Sequence, residues 1–154
     1  MNENYTILIV EDDPNDILFF KRALNKNGIN NPICTLPDGE EAIMYLKGMA
    51  QYADRSAHPF PGVIILDLKM PRKSGLEVLQ WLKDHPKYRV IPTIVFTSSK
   101  LNEDVIKAYG LGANSYMVKP SSFDDLQQMM KTAHQYWSFC LKPDPNDGAL
   151  KTIE

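Results

Sequence analysis

Long apolar runs are missing from this 154-residue sequence. None approaches the roughly 20 residues that span a bilayer, and the stretch from Met1 to Val10 lacks the basic region of a secretory leader. A cytoplasmic protein with no membrane partner is expected. A basic excess is missing too: 17 Lys and Arg face 19 Asp and Glu, for a formal charge of -2. Nothing there neutralises a run of phosphates, which disfavours nucleic acid as a partner. Cysteine is scarce. Cys34 and Cys140 sit in apolar stretches and cannot build a disulfide framework, so both are expected to be buried and reduced. Neither a G-x-G-x-x-G nor a P-loop occurs, and no internal repeat is visible. What remains is an ordinary globular composition, 44% hydrophobic and 23% charged, in a length that suits one domain.

Five short apolar runs, Thr6 to Val10, Pro32 to Leu36, Val63 to Leu66, Thr93 to Phe96 and Ser115 to Val118, alternate with five segments of helical period. That alternation predicts an α/β fold, a parallel sheet with helices on both faces. The first, third and fourth runs are continuously apolar, as strands buried on both faces are, and are expected at the centre. Asp13 before Pro14 reads as a helix cap, and Ser74 and Ser122 stand three residues before Glu77 and Asp125 at capping-box spacing. Gly28 and Pro86 mark helix ends. Gly48 to Pro61 is long for a helix-to-strand connection and reads as an inserted loop. The expected division is a domain over 1–141 and a flexible tail over 142–154, where prolines and charges leave no apolar face.

In open parallel sheets ligands bind outside the carboxyl ends of the strands. Here those ends are polar: Glu11-Asp12-Asp13, Asp67, Thr97-Ser98-Ser99 and Lys119-Pro120. Asp13 is accounted for as a cap. Asp67 is not, because the next helix has its own cap at Ser74. Glu11, Asp12 and Asp67 together concentrate negative charge that is costly without a cation, and hard oxygen donors of this kind suit magnesium.

The series Ile7-Leu8-Ile9-Val10-Glu11-Asp12-Asp13-Pro14, Asp67-Leu68-Lys69-Met70-Pro71 with Gly75 and Glu77, Thr97, and Tyr116-Met117-Val118-Lys119-Pro120 resembles receiver domains of two-component response regulators, over roughly residues 5 to 140. The resemblance implies a flavodoxin-like doubly wound sheet of five strands in the order 2-1-3-4-5 with five helices. It implies Asp67 as phosphoacceptor, Glu11, Asp12, Asp67 and the Lys69 backbone carbonyl as magnesium ligands, and Lys119 and Thr97 as partners of the phosphoryl group. Thr97 and Tyr116 would form the switch, while Lys69 and Ser99 occupy positions that tune phosphoryl lifetime. The expected activity is magnesium-dependent acceptance of a phosphoryl group from a sensor histidine kinase, with no enzymatic turnover beyond the protein's own phosphorylation and dephosphorylation. The insert ending His58-Pro59-Phe60-Pro61-Gly62, Trp81 and the extended last helix resemble the small stand-alone regulators paired with phytochrome kinases.

An acid-aspartate phosphatase would need a second Asp where Lys69 stands, and the acidic Glu11-Asp12-Asp13 would repel a flavin phosphate. A receiver-like module that takes up no phosphate is the remaining alternative. With the chain expected to end at the receiver, signalling is expected through contact. His58, flanked by prolines, reads as a loop residue rather than a ligand or base, and His85 and His134 are read alike. On the last helix Leu126, Met129, Met130, Ala133, Trp137 and Cys140 fall on one stripe, which leaves Phe139 exposed, with Tyr136 at the stripe edge. These two aromatics are the expected homodimer contacts, on the face of the fourth helix, fifth strand and fifth helix.

Overall fold

The computed structural model describes residues 4–144 and 147–151. Strands β1 (Ile7–Val10), β2 (Ile33–Leu36), β3 (Val63–Leu66), β4 (Thr93–Thr97) and β5 (Ser115–Val118) form one sheet in the order β2-β1-β3-β4-β5, every pairing parallel. Helices α1 (Pro14–Lys26), α2 (Gly39–Lys47), α3 (Gly75–Asp84), α4 (Asn102–Gly110) and α5 (Phe123–Phe139) follow the strands in turn. Two one-turn helices, Pro86–Arg89 and Gly148–Lys151, and a 3-10 turn, Ala50–Tyr52, are additions to the five helices expected. Pro86 both ends α3 after His85 and opens the next turn, since its fixed φ suits a first helical position.

The continuously apolar runs are the interior strands. Every residue of β1, β3 and β4 is buried, whereas the edge strands β2 and β5 are largely half-buried. Alternation of side chains splits the core in two. Leu8, Val10, Ile64 and Leu66 pack with Ala42, Tyr45 and Leu46 of α2 and Val78, Leu79 and Leu82 of α3. Ile7, Ile9, Val63, Ile65, Ile94 and Phe96 pack on the other face with Phe20, Ala23 and Leu24 of α1 and Leu126, Met130 and Trp137 of α5. The apolar stripe of α5 thus faces the sheet, and Phe139 and Tyr136 are 79% and 68% exposed.

The caps fall where the spacing places them: Asn15 N–H donates to Asp13 (2.8 Å), Glu77 N–H to Ser74 (3.3 Å) and Asp125 N–H to Ser122 (3.1 Å). Three details differ from expectation. Both cysteines are free but half-buried rather than buried. His134 lies on α5, not in a loop, with Nδ1 3.2 Å from Tyr5 Oη. His85 ends α3 and stacks on Trp81 at 4.3 Å. Within 142–154, Lys142 Nζ donates to the Trp137 carbonyl (2.7 Å) and stands 4.2 Å from the Tyr5 ring centre. Residues 145, 146 and 152–154 of the expected tail, and 1–3 of the expected domain, lie outside the described residues.

Candidate functional site at the carboxyl ends of the strands

Strand register builds the site. Val10 pairs with Leu66 and Leu66 with Val95, so the residues that follow them, Glu11 and Asp67, emerge side by side at the centre of the sheet. Their backbones continue the ladder for one further step, with Asp67 N–H donating to Val10 O (3.0 Å) and Glu11 N–H to Leu36 O (3.0 Å). One strand over, Lys119 N–H donates to Thr97 O (2.8 Å), which places the end of β5 beside β4. Glu11 and Asp67 are buried, and Lys119 is half-buried.

Lys119 Nζ is the hub. It donates to Glu11, to Asp16 (2.8 Å) and to Asp67 (3.1 Å). Carboxylate oxygens of Glu11, Asp12 and Asp67 lie within 4.8 Å of one another, with Asp12 on the exposed rim. Glu11 also accepts from the Asp12 N–H (3.0 Å), and the Lys69 N–H reaches Asp67 at 3.4 Å. Gly75 closes the floor: a Cβ there would stand 2.2 Å from the Asp67 carbonyl oxygen. Asp16 was not singled out in the sequence. Its only signal is a place in the first turn of α1, where an acid is an ordinary helix feature.

The charges are unbalanced. Burial, reinforced by the neighbouring Asp67, pushes Glu11 up to about 8 against the pull of Lys119. Burial acts on Asp67 too, but the hydrogen bond with Glu11 and the Lys119 charge outweigh it and hold its carboxyl below the usual range. Lys119 is desolvated, yet its bonds to Asp16 and Glu11 and the Asp67 charge raise it above an ordinary lysine. Three carboxyl groups contact the Lys119 ammonium and a fourth, Asp12, lies beside Glu11 and Asp67, and the excess is relieved by a proton on Glu11 or by a cation. The donor set fits a hard divalent cation: three carboxylates within mutual reach, which magnesium or manganese takes in preference to nitrogen or sulfur.

The Thr97 hydroxyl is buried, has no close hydrogen-bond partner among the described residues, and helps to hold the Asp67 carboxyl ionised. Its neighbours are anchored. Ser99 Oγ donates to Asp104, and the half-buried Tyr116 hydroxyl donates to the Ser99 carbonyl at 2.9 Å. Tyr136 and Phe139 lie towards the far end of α5 and form no part of this site. No described helix is long and apolar enough to cross a membrane.

The arrangement can be set beside known proteins. The model of the response regulator receiver domain matches residues 7–131. The probable methanogenesis regulatory protein FilR2 of Methanothrix harundinacea is 35% identical over 86% of this chain and 83% of its own. Response regulator Rcp1 of Synechocystis is 34% identical over 88% and 90%, and a structure of its Mn(2+)-bound form superimposes with a TM-score of 0.81 at 33% identity over 91% of this chain and 99% of that one. The phosphorylated cyanobacterial phytochrome response regulator RcpA superimposes with a TM-score of 0.84 at 32% identity over 92% and 99%. With most of its length matched in sequence and in fold, the chain belongs to the response regulator receiver family.

Proposed function

We propose that Asp67 accepts a phosphoryl group from a sensor histidine kinase. The observation that carries this reading is the contact of Lys119 with Asp67 and Glu11 at the centre of the strand ends. An Asp67 carboxylate oxygen forms a bond to phosphorus as the phosphorus–nitrogen bond of the donor phosphohistidine breaks, its electron pair returning to the imidazole. Asp67 is suited to attack because its carboxyl stays ionised beside Lys119. Lys119 then neutralises a phosphoryl oxygen, and Thr97 donates its hydroxyl to another. Glu11, Asp12, Asp67 and the Lys69 carbonyl would hold magnesium, which supplies further positive charge to the phosphoryl oxygens. Movement of Thr97 alters the segment whose Ser99 carbonyl Tyr116 holds, making these two the switch. The protein turns over nothing beyond its own acyl phosphate.

Asp67→Asn keeps the shape and removes the nucleophile. It should take up no label from a small acyl phosphate with magnesium, as read by mass spectrometry, and labelling at the wild-type level refutes the assignment.

For the partner we infer a phytochrome-type kinase, supported by the likeness to the phytochrome response regulator RcpA. The comparable identity to FilR2 makes a different kinase the rival, and a phosphotransfer screen over the host's histidine kinases decides between them. A cytoplasmic domain over 1–141 with a tail over 142–154 completes the reading. So does a homodimer on the face of α4, β5 and α5, where Tyr136 and Phe139 are exposed. Sedimentation should show a dimer at tens of micromolar that Phe139→Ser weakens about tenfold; a monomeric wild type removes the dimer.

A further inference from the structure

Two loops are fastened together beside the acidic site. In the loop after β3, Arg72 has φ +67, a left-handed conformation that a residue with a Cβ adopts only when its surroundings hold it there. Its guanidinium reaches across to the start of α2. Nε and one terminal nitrogen bond Glu40 at 3.0 and 2.9 Å, and the other terminal nitrogen lies 3.7 Å from Asp38. Asp38 is buried, and its second oxygen caps α2 by accepting from the Glu41 N–H at 2.9 Å. The backbones meet as well. Gly39 N–H donates to the Lys73 carbonyl at 3.1 Å, in an approach so close that a Cβ on Gly39 would stand 2.5 Å from that oxygen. The far end of the same loop is closed by Gly75 N–H on the Leu68 carbonyl at 2.9 Å.

We propose that Arg72 is a positioning residue: its grip on Asp38 and Glu40 holds the Leu68–Lys73 turn in the shape that presents Asp67 and the Lys69 carbonyl to a divalent cation. The proposal rests on the reading of that acidic site as a magnesium site. An ion pair half in water adds little to global stability. Its effect here is local, since it selects one shape for a turn whose left-handed residue would otherwise relax. Of the carboxylates gripped, Asp38 is itself fixed by burial and by capping α2, and Glu40 stands in the first turn of that helix. Residues that orient metal ligands in this way change metal affinity by about ten- to a hundredfold when removed; Arg72 orients a turn rather than a ligand side chain, so the lower figure is expected.

The test uses the full chain and two readouts, magnesium affinity by calorimetry and amide exchange of Gly39 and Gly75 in the metal-free protein. Arg72→Ala should weaken magnesium about tenfold and speed Gly39 exchange by a similar factor while the urea midpoint barely moves. Arg72→Gly should lose the same affinity although it removes the backbone strain, and Arg72→Lys should recover part of it. Asp12→Ala should abolish magnesium binding yet leave Gly39 protected, separating site from clamp. Wild-type affinity in Arg72→Ala overturns the proposal. So does a fall in urea midpoint that tracks affinity through every variant, Arg72→Lys included. A wild type that binds no magnesium overturns the site reading and the proposal with it, and is distinguished by the unaltered exchange pattern.

Discussion

Two polar regions of this molecule each gather several carbonyl or carboxylate oxygens around one cationic side chain, to opposite ends. In the segment between α2 and β3, Arg55 donates to the carbonyls of Tyr45 (2.8 Å), Leu46 (2.6 Å) and His58 (3.2 Å), the first of which also accepts the Gly48 N–H at 3.0 Å. Tyr45 donates to the Pro59 carbonyl (2.6 Å), Tyr52 to Glu41, and the His58 ring stands edge-on to both tyrosines. Donors and acceptors match, and the insert is pinned down. At the strand ends Lys119 faces Glu11, Asp16 and Asp67, with Asp12 nearby, and the buried Thr97 hydroxyl has no close hydrogen-bond partner among the described residues. A balanced network finishes a structure, and an unbalanced one is completed by a ligand.

The contrast is broken most severely at Lys119. Lys119→Ala removes the Lys119 ammonium from the acidic centre, and phosphorylation of Asp67 by an acyl phosphate should fall about a hundredfold for want of charge stabilisation. Magnesium affinity should move the other way and rise several-fold, because the cation no longer competes with an ammonium for Glu11 and Asp67. Calorimetry beside a phosphorylation time course reads both. A parallel loss of affinity and rate would mean that Lys119 organises the carboxylates rather than neutralising what binds them.

The balanced region should respond in stability alone. Arg55→Ala removes the donor to three carbonyls, of which Tyr45 keeps the Gly48 N–H, and a loss of about 2 kcal/mol is expected by urea unfolding, the scale of leaving buried acceptors unpaired. Phosphorylation rate and magnesium affinity should stay at wild-type values. A functional defect equal to that of Lys119→Ala would erase the distinction between the two regions.

How far the sequence reveals this contrast depends on the range of the interactions. The strands and which of them are interior were legible, since Val63-Ile64-Ile65-Leu66 and Ile7-Leu8-Ile9-Val10 carry the signature of fully buried strands and the helix caps are local, whereas the strand order came with the resemblance to receiver domains. Glu11, Asp12, Asp67, Thr97 and Lys119 were legible because they end strands, and parallel register brings strand ends together. Asp16 was hidden: as a first-turn acid it is locally unremarkable, and only the fold turns it towards Lys119, 103 residues away. The clamp of Arg72 on Asp38 and Glu40 was hidden for the same reason, and so was the role of Arg55, whose acceptors are backbone carbonyls and carry no sequence signal. His134 falls between Ala133 and Trp137 of the α5 stripe, and a single histidine apart from that period carries no sign of its place in a helix.

The smallest effect belongs to Thr97, and its sign is the informative part. A buried hydroxyl without a partner costs stability, whereas valine has nearly the same shape and nothing to satisfy. Thr97→Val should therefore stabilise the unphosphorylated, metal-free protein by up to about 1 kcal/mol, a rise of roughly 2–4 °C in melting temperature for a chain of this size. The phosphorylated protein should lose about as much, because the hydroxyl is then the donor to a phosphoryl oxygen. Calorimetric melting with and without a stable phosphoryl mimic gives the two shifts, and opposite signs are expected. If valine destabilises both forms, the hydroxyl is already bonded in the resting protein, and the strand ends are as complete as the insert.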